Sequence, residues 1–432
     1  MQGRKEKIFI ITFSLPYPLK DGGKIAIYSE IEYLRKYFDI TILFEAKSNE
    51  VHHVETLKKL WPDVHIEVVE RQVEVQPKKS LKAQAKDLVR GIVRKYKPAP
   101  VQTAAPDPGH WIVEYVVKSA LFLDETFTKR VEGILNKYEY PVIMVEHSMY
   151  MSVVNILPKK SVKVFVEIES RFSVVRDMLN TYNRQDMYAD YIVESCKRFE
   201  YSLMNAYDAL ILLTEADKKR IEQEVPDKQM LVSPFPVLDR DAKDIDVNAW
   251  QPEKLVFLGS ENHFPNKDGI KWFIEQILPK LTNSNIKMHI TGNWTPETRA
   301  LYSNNGRVVF TGFVDDLSKL MNNSICIVPI RIGGGGIRSK LLESLSFGVP
   351  VVTTALGASG IMAINNKDIL IRDSEVEFAA AIDWVVNNTE PARDIIRNGL
   401  KIIETHYTCA ITGEQKRQFL QKAISEYYQV VS

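Results

Sequence analysis

Short apolar runs alternate with segments of helical spacing twice along this chain, and a polar stretch with three prolines, "SPFPVLDRDAKDIDVNAWQPE" at residues 233–253, separates the two series. In the first, "KIFIITF" (7–13) is continuously apolar, as a buried strand is, "KIAIYSEIEYLRKYF" follows with helical period, and "DITILFE" (39–45) returns to strand character. Further apolar runs lie at 142–146, 162–167 and 208–213. The second series restarts with "KLVFLGS" (254–260), the helical "NKDGIKWFIEQILPKL", and then "IKMHITG" (286–292), "RVVFTGF" (307–313), "ICIVPI" (325–330) and "VPVVTT" (349–354). Strands that alternate with helices argue for two α/β domains with parallel sheets and against a sandwich or a repeat array.

Length agrees with that division. At 432 residues the chain exceeds the roughly 250–300 residues over which one core keeps growing. The expected limits are a first domain over 1–235, a connection over 236–253, a second domain over 254–412 and a terminal helix over 413–432 that crosses the junction. Thr214, with Asp217 three residues on, is the expected N-cap of a helix in "TEADKKRIEQEV".

The 56 basic and 55 acidic residues nearly cancel, so no global charge points to nucleic acid and any anion site must be local. Cys196, Cys326 and Cys409 are too few and too widely spaced for a disulfide framework or a paired-thiol zinc site, which suits a reducing cytoplasm. The N-terminus lacks a secretory cleavage pattern, and no window reaches eighteen apolar residues.

The local anion site is legible in "IVPIRIGGGGIRSKLLESLSFGVPVVTT" (327–354). Glycines 333–336 stand between a strand and a helical segment, so the amides of Gly334, Gly335, Gly336 and Ile337 would lie at a helix N-terminus, where free N–H groups and the positive dipole end favour phosphate. Arg338 and Lys340 add charge, although two residues apart on a helix do not share a face. Glu343, two turns in, could accept hydrogen bonds from vicinal hydroxyls. A flexible turn followed by solvated charges is the plainer alternative. The stretch is neither a P-loop nor a Rossmann fingerprint.

In the first domain Gly22 and Gly23 occupy the loop after the first strand, at the carboxyl edge where open α/β sheets bind ligands. Glu146 and His147 end the run at 142–146, and a histidine there could orient a hydroxyl or move a proton; a packed histidine without chemistry is the alternative. Glu169 follows the run at 162–167.

The segment "VVFTGFVDDLSKLMNNSICIVPIRIGGGGIRSKLLESLSFGVPVVTTALGASGI" resembles the C-terminal donor-binding region of retaining glycosyltransferases of the GT-B architecture, in particular family four. "LVFLGSENHFPNKDGIKWFIEQILPKL" resembles the first strand and helix of that domain. "PYPLKDGGKIAIYSEIEYLRKYFDITIL" is similar to the family's N-terminal glycine loop, and "CKRFEYSLMNAYDALILLTEADKKRI" to the helix and strand before the linker. The resemblance touches most of residues 7–410.

It implies two Rossmann-like domains facing across a deep cleft, a nucleotide-diphosphate sugar as donor substrate with no separate cofactor or metal, and a glycan or lipid-linked acceptor. Glu343 matches the second glutamate of the family's paired motif, which binds ribose hydroxyls; Gly335 stands where the first would be, a glycine-rich variant. Ser260 stands where a diphosphate-binding arginine is common. Lys267 would be the family's phosphate lysine, with Arg338 or Lys340 supplying the missing cation, and electrostatic support of the departing diphosphate would fall to Lys267, Arg338 and Lys340. Where the family has a histidine after the next strand, this chain has Glu167 and Glu169, and Glu169 is the better candidate for an acceptor or hydroxyl contact.

Residues 71–97 carry nine Lys/Arg and two acidic residues, and the span 80–97 has helical amphipathicity suited either to an anionic membrane surface at the inner face or to packing on the first sheet. His110 and Trp111 follow a proline-rich turn and suggest an acceptor loop. Two other readings keep the fold: a sugar-nucleotide epimerase or phosphorylase, and a binding protein that has lost catalysis.

Overall fold

The computed structural model describes residues 5–19, 22–72, 122–238, 245–333 and 336–431. The basic span 80–97, His110, Trp111, Gly334 and Gly335 lie outside them. Two all-parallel sheets form the frame.

The first has the order β3-β2-β1-β4-β5-β6-β7, built from β1 (Lys7–Ile11), β2 (Asp39–Lys47), β3 (His65–Arg71), β4 (Val142–Glu146), β5 (Val162–Glu167), β6 (Ala209–Leu212) and β7 (Gln229–Val232). The second has the order β10-β9-β8-β11-β12-β13, from β8 (Lys254–Phe257), β9 (Lys287–Thr291), β10 (Val308–Gly312), β11 (Ser324–Val328), β12 (Val351–Thr353) and β13 (Leu370–Ile371). Helices among the described residues are α1 (Gly22–Leu34), α2 (Val51–Leu60), α3 (Glu125–Leu135), α4 (Arg171–Thr181), α5 (Met187–Met204) and α6 (Glu215–Glu222) in the first half. In the second they are α7 (Phe264–Trp272), α8 (Pro296–Leu301), α9 (Leu317–Met321), α10 (Ser339–Ser346), α11 (Glu375–Asn387), α12 (Thr389–Ile402) and α13 (Cys409–Val431). None is long and apolar enough to cross a membrane.

Alternate side chains of β1 enter different cores: Phe9 and Ile11 pack on one face of the sheet, Ile8 and Ile10 on the other. Leu255 and Phe257 of β8 are likewise separated from Val256. Burial on both faces is why these strands read as continuous apolar runs. Strands β3, β7 and β13 were not evident from the sequence. All three lie at sheet edges; β3 carries Glu67 and Glu70, and every residue of β7 keeps some solvent contact. Thr214 caps α6 as expected, its hydroxyl accepting from the Asp217 amide at 3.0 Å.

Among the described residues the chain passes between the two sheets twice, near Val237 and again near Thr408. The two passages are tied together, the Val237 N–H donating to the Tyr407 carbonyl at 2.9 Å. After the second passage α13 lies on the first domain, where Leu420, Ala423 and Ile424 join the core that holds α1.

Candidate functional site

Each sheet changes winding direction once, between β1 and β4 in the first and between β8 and β11 in the second. Such switch points open crevices at the carboxyl ends of the strands. The two crevices face each other and merge into one cleft of about 920 Å³. Its first-domain wall includes Gly22, Gly23, Ile168 and Glu169, and its second-domain wall includes Ser260, His263, Asn266, Gly336, Ile337, Arg338, Ser339, Lys340 and Glu343.

Two helix N-termini meet there. Gly22 is the first described residue of α1 and Ser339 the first of α10, and a Cβ on Gly22 would lie 2.2 Å from the Ser339 hydroxyl oxygen. Glycine is required at 22 because any side chain would drive the two ends apart. Gly336, at φ +84°, makes a second close approach: its Cβ would stand 3.1 Å from the Ile168 carbonyl oxygen of the first domain. At the N-cap of α10, Arg338 contributes no side-chain acceptor for the helix's first amides. The positive ends of two dipoles thus converge on one space, an arrangement suited to a doubly anionic group.

The cations are placed on the same wall. Arg338 is extended (φ −81°, ψ 91°) rather than helical, which removes the angular separation expected of residues two apart on a helix and lets it line the cleft together with Lys340. Burial lowers the pKa of Arg338, while the carboxylates of Glu169 and Asp177 from the first domain pull it back up. Glu169 is displaced upward by burial, with Arg338 opposing. These two groups face each other electrostatically across the junction.

Lys340 hydrogen-bonds to the Asn266 amide oxygen and sits 4.7 Å from the centre of the Phe257 ring. Its ammonium is 3.1 Å from the position a Cβ would take on Gly259, beside Ser260, so a lysine from α10 fills the space next to the residue where the resemblance called for arginine. Burial, then the charge of Arg338, drops its pKa to about 7. His263 is lowered as well, by burial and by Lys340.

Lys267 is placed otherwise. It does not appear in the cleft wall; its ammonium is ion-paired with Glu261 at 2.6 Å. Burial raises the Glu261 carboxyl, but hydrogen bonds from Lys267, Thr298 and Thr295 outweigh it and hold the group at about 2. One residue along a helix turns a side chain by about 100°, and that turn presents Asn266 to the cleft in place of Lys267. His147 is also absent from the cleft wall. It packs 4.8 Å from the Phe13 ring, its Nδ1 accepts from the Met149 amide at 3.1 Å, and burial, with a smaller effect of Arg171, lowers its pKa to about 4. The imidazole is therefore neutral near pH 7.

Sequence reasoning overlooked Asn266, His263, Ser339 and the loop Phe313–Asp316, all of which line the cleft. Phe313 is 54% exposed there. The available signal was positional: each follows the carboxyl end of β8, β10 or β11, the edge that open α/β sheets give to ligands.

Residues 252–388 match the family of group 1 glycosyl transferases. The protein is a glycosyltransferase with the GT-B fold. A curated relative of this glycosyltransferase, an uncharacterised 44.6 kDa protein in the cps region of Klebsiella pneumoniae, is 21% identical over 413 residues, covering 93% of this chain and 96% of that one. Among solved structures, sucrose-phosphate synthase from Thermosynechococcus elongatus superposes with a TM-score of 0.67 at 15% identity, over 98% of this chain and 100% of that one. A single-site mutant of TarM from S. aureus, solved with fondaparinux, α-GlcNAc-glycerol and UDP, superposes with a TM-score of 0.64 at 13% identity, over 97% and 99%.

Proposed function

We propose that this glycosyltransferase moves a sugar, with retention of anomeric configuration, from a nucleotide-diphosphate sugar to a glycan or lipid-linked acceptor during synthesis of a surface polysaccharide. The observation that carries the reading is the meeting of the α1 and α10 N-termini at Gly22 and Ser339, with Arg338 and Lys340 on the same wall. When the bond from the sugar's anomeric carbon to the diphosphate breaks, negative charge grows on the departing nucleoside diphosphate. The amides at the start of α10 and the cations Arg338 and Lys340, fixed on the cleft wall, meet that charge as it develops. The acceptor hydroxyl forms the new bond to the same carbon, and its proton passes to the oxygen of the departing diphosphate.

Glu343, in the same wall, takes the ribose hydroxyls, and Phe313 offers a ring to the base. Glu169, from the opposite domain, meets the acceptor or the transferred sugar. The cps-region relative supports the polysaccharide setting. The reaction belongs in the cytoplasm, where Cys196, Cys326 and Cys409 remain thiols, and residues 80–97 provide peripheral contact with the inner membrane face.

Titration calorimetry with UDP, ADP and GDP, on the wild type and on Arg338→Ala and Lys340→Ala, tests the site. Binding of one nucleotide that both substitutions weaken is expected, whereas unaltered affinity in both removes the assignment. With a labelled nucleotide sugar and acceptor, proton NMR of the product then reads the anomer; an inverted centre rejects retention.

A further inference from the structure

Helix α4 begins at the cleft, two residues after Glu169, and runs outward for eleven residues, about 16 Å at 1.5 Å per residue. It ends at Tyr182 and turns into α5, which packs against it. At this turn the surface is unusually aromatic. Tyr182 and Tyr188 are about half exposed, Tyr191 is 65% exposed and Met187 89%. The Tyr188 and Tyr191 rings lie nearly parallel, 22° apart in plane with centres 6.2 Å apart. A contiguous exposed apolar patch, unlike singly scattered residues, marks an interaction site.

The composition of the turn narrows the partner. Residues 182–191 hold one arginine against two aspartates, and Arg184 is already ion-paired with Asp186 at 2.7 Å, so the patch has no attraction for an anionic lipid surface. Asn183 and Gln185 stand among the tyrosines, supplying amide donors and acceptors beside flat ring faces that end in hydroxyls. Rings for the C–H face of a sugar and amides for its hydroxyls are what a saccharide chain requires, and the α4 axis leads from this turn to the cleft.

Resting on the glycosyltransferase reading above, we propose that Tyr182, Tyr188 and Tyr191 form a platform outside the cleft that holds the distal sugars of an extended oligosaccharide acceptor, so that the enzyme favours long acceptor chains over short ones.

The test uses the full chain and surface polysaccharide extracted from the cells that make it, with its acid-released oligosaccharides sorted by length. In gels containing the polysaccharide the wild type should be retarded. Tyr188→Ala/Tyr191→Ala should lose at least ten-fold in apparent affinity, and Tyr188→Phe/Tyr191→Phe should retain most of it because the rings remain. In transfer assays the alanine variant should raise KM for long oligosaccharides at least ten-fold and leave KM for a disaccharide unchanged. Its melting temperature and UDP affinity, unaltered, show that fold and donor site are intact.

Equal retardation of the alanine variant and the wild type overturns the platform. So does a wild type that binds UDP and transfers sugar yet ignores chain length, an outcome that leaves the proposed function standing. A chain that neither binds a nucleotide nor transfers sugar overturns both. If the alanine substitutions abolish sedimentation with phosphatidylglycerol vesicles or dissociate a dimer, and leave polysaccharide binding unaltered, the patch serves lipid or protein and the platform is rejected.

Discussion

Lys416 of α13 forms an ion pair with Glu30 of α1 in a pocket where the two side chains are only 3% and 5% exposed. The pair locks the last helix of the chain onto the first, so the C-terminal end, arriving from the second domain, completes the core of the first. Removing one partner strands a buried charge, which costs about 3–5 kcal/mol, whereas replacing both with apolar groups of similar size is often neutral. Lys416→Ala should therefore lower the urea midpoint by an amount equivalent to about 3–5 kcal/mol, and Glu30→Leu/Lys416→Met should recover most of it. Equal losses in both variants would show that the pair itself contributes stability that apolar contacts do not replace.

Three buried carboxyls of the first domain make its stability fall with rising pH. Burial, then the negative charge of Glu30, pushes Glu146 up to about 8; burial pushes Glu167 to about 8 and Glu200 to about 7. A folded-state pKa above the unfolded value gives stability that is complete below the unfolded pKa of about 4.5 and is lost as pH rises through the folded one. Thermal unfolding should show a melting temperature that declines between about pH 5 and 8, and Glu146→Gln should flatten part of that decline. A decline identical in the variant and the wild type would assign it to the other two groups.

Gly360 tests the seam between the domains. It has φ +78°, and a Cβ there would lie 2.5 Å from Thr214 Cγ2 on the facing domain. Gly360→Ala adds about 1–2 kcal/mol of backbone strain to that clash. We expect kcat/KM to fall about ten-fold, the equivalent of about 1.4 kcal/mol. Adding Thr214→Ser removes the offending methyl and keeps the hydroxyl that caps α6, so it should restore part of the loss. Full restoration would mean that the clash alone matters, and none that the strain does.

The central strands of both sheets were legible because both their faces are buried, leaving apolar runs such as "IFII" and "LVF". Edge strands β3 and β7 were not, since partial solvent contact leaves polar residues among the apolar ones, and β13 was not because it is only two residues long. Gly336, Ile337, Arg338, Lys340 and Glu343, which line the cleft, could be picked out from local spacing because strand, loop and helix are consecutive in the chain. Asn266 and Ser339 could not, because their importance comes from Lys340 reaching back 74 positions and from Gly22 meeting Ser339 across the domains. That Asn266 and not its neighbour Lys267 lines the cleft is one step of helix rotation, which sequence spacing does not resolve.

Lys340 offers the sharpest test of the electrostatic site. Its pKa, lowered by burial and by Arg338, is about 7, so near pH 8 the amine is mostly neutral. The other groups facing it leave that pH clear: His263 is pushed below its ordinary value and stays neutral, Cys326 is raised to about 12, and Arg338 remains charged. A diphosphate beside Lys340 favours the ammonium form, so binding should draw a proton from solution between about pH 7 and 10. Calorimetric titrations of whichever of UDP, ADP and GDP binds, at pH 8 in buffers of different ionisation enthalpy, should report net uptake approaching one proton. Lys340→Met should abolish the uptake and weaken that nucleotide about ten- to a hundred-fold, as expected for a charged hydrogen bond of about 1.5–3 kcal/mol. Lys267→Met, already tied to Glu261, should behave like the wild type in both readouts. If instead Lys267→Met abolishes uptake and Lys340→Met does not, the phosphate-binding lysine is the one on α7 and the pairing seen with Glu261 opens when donor binds.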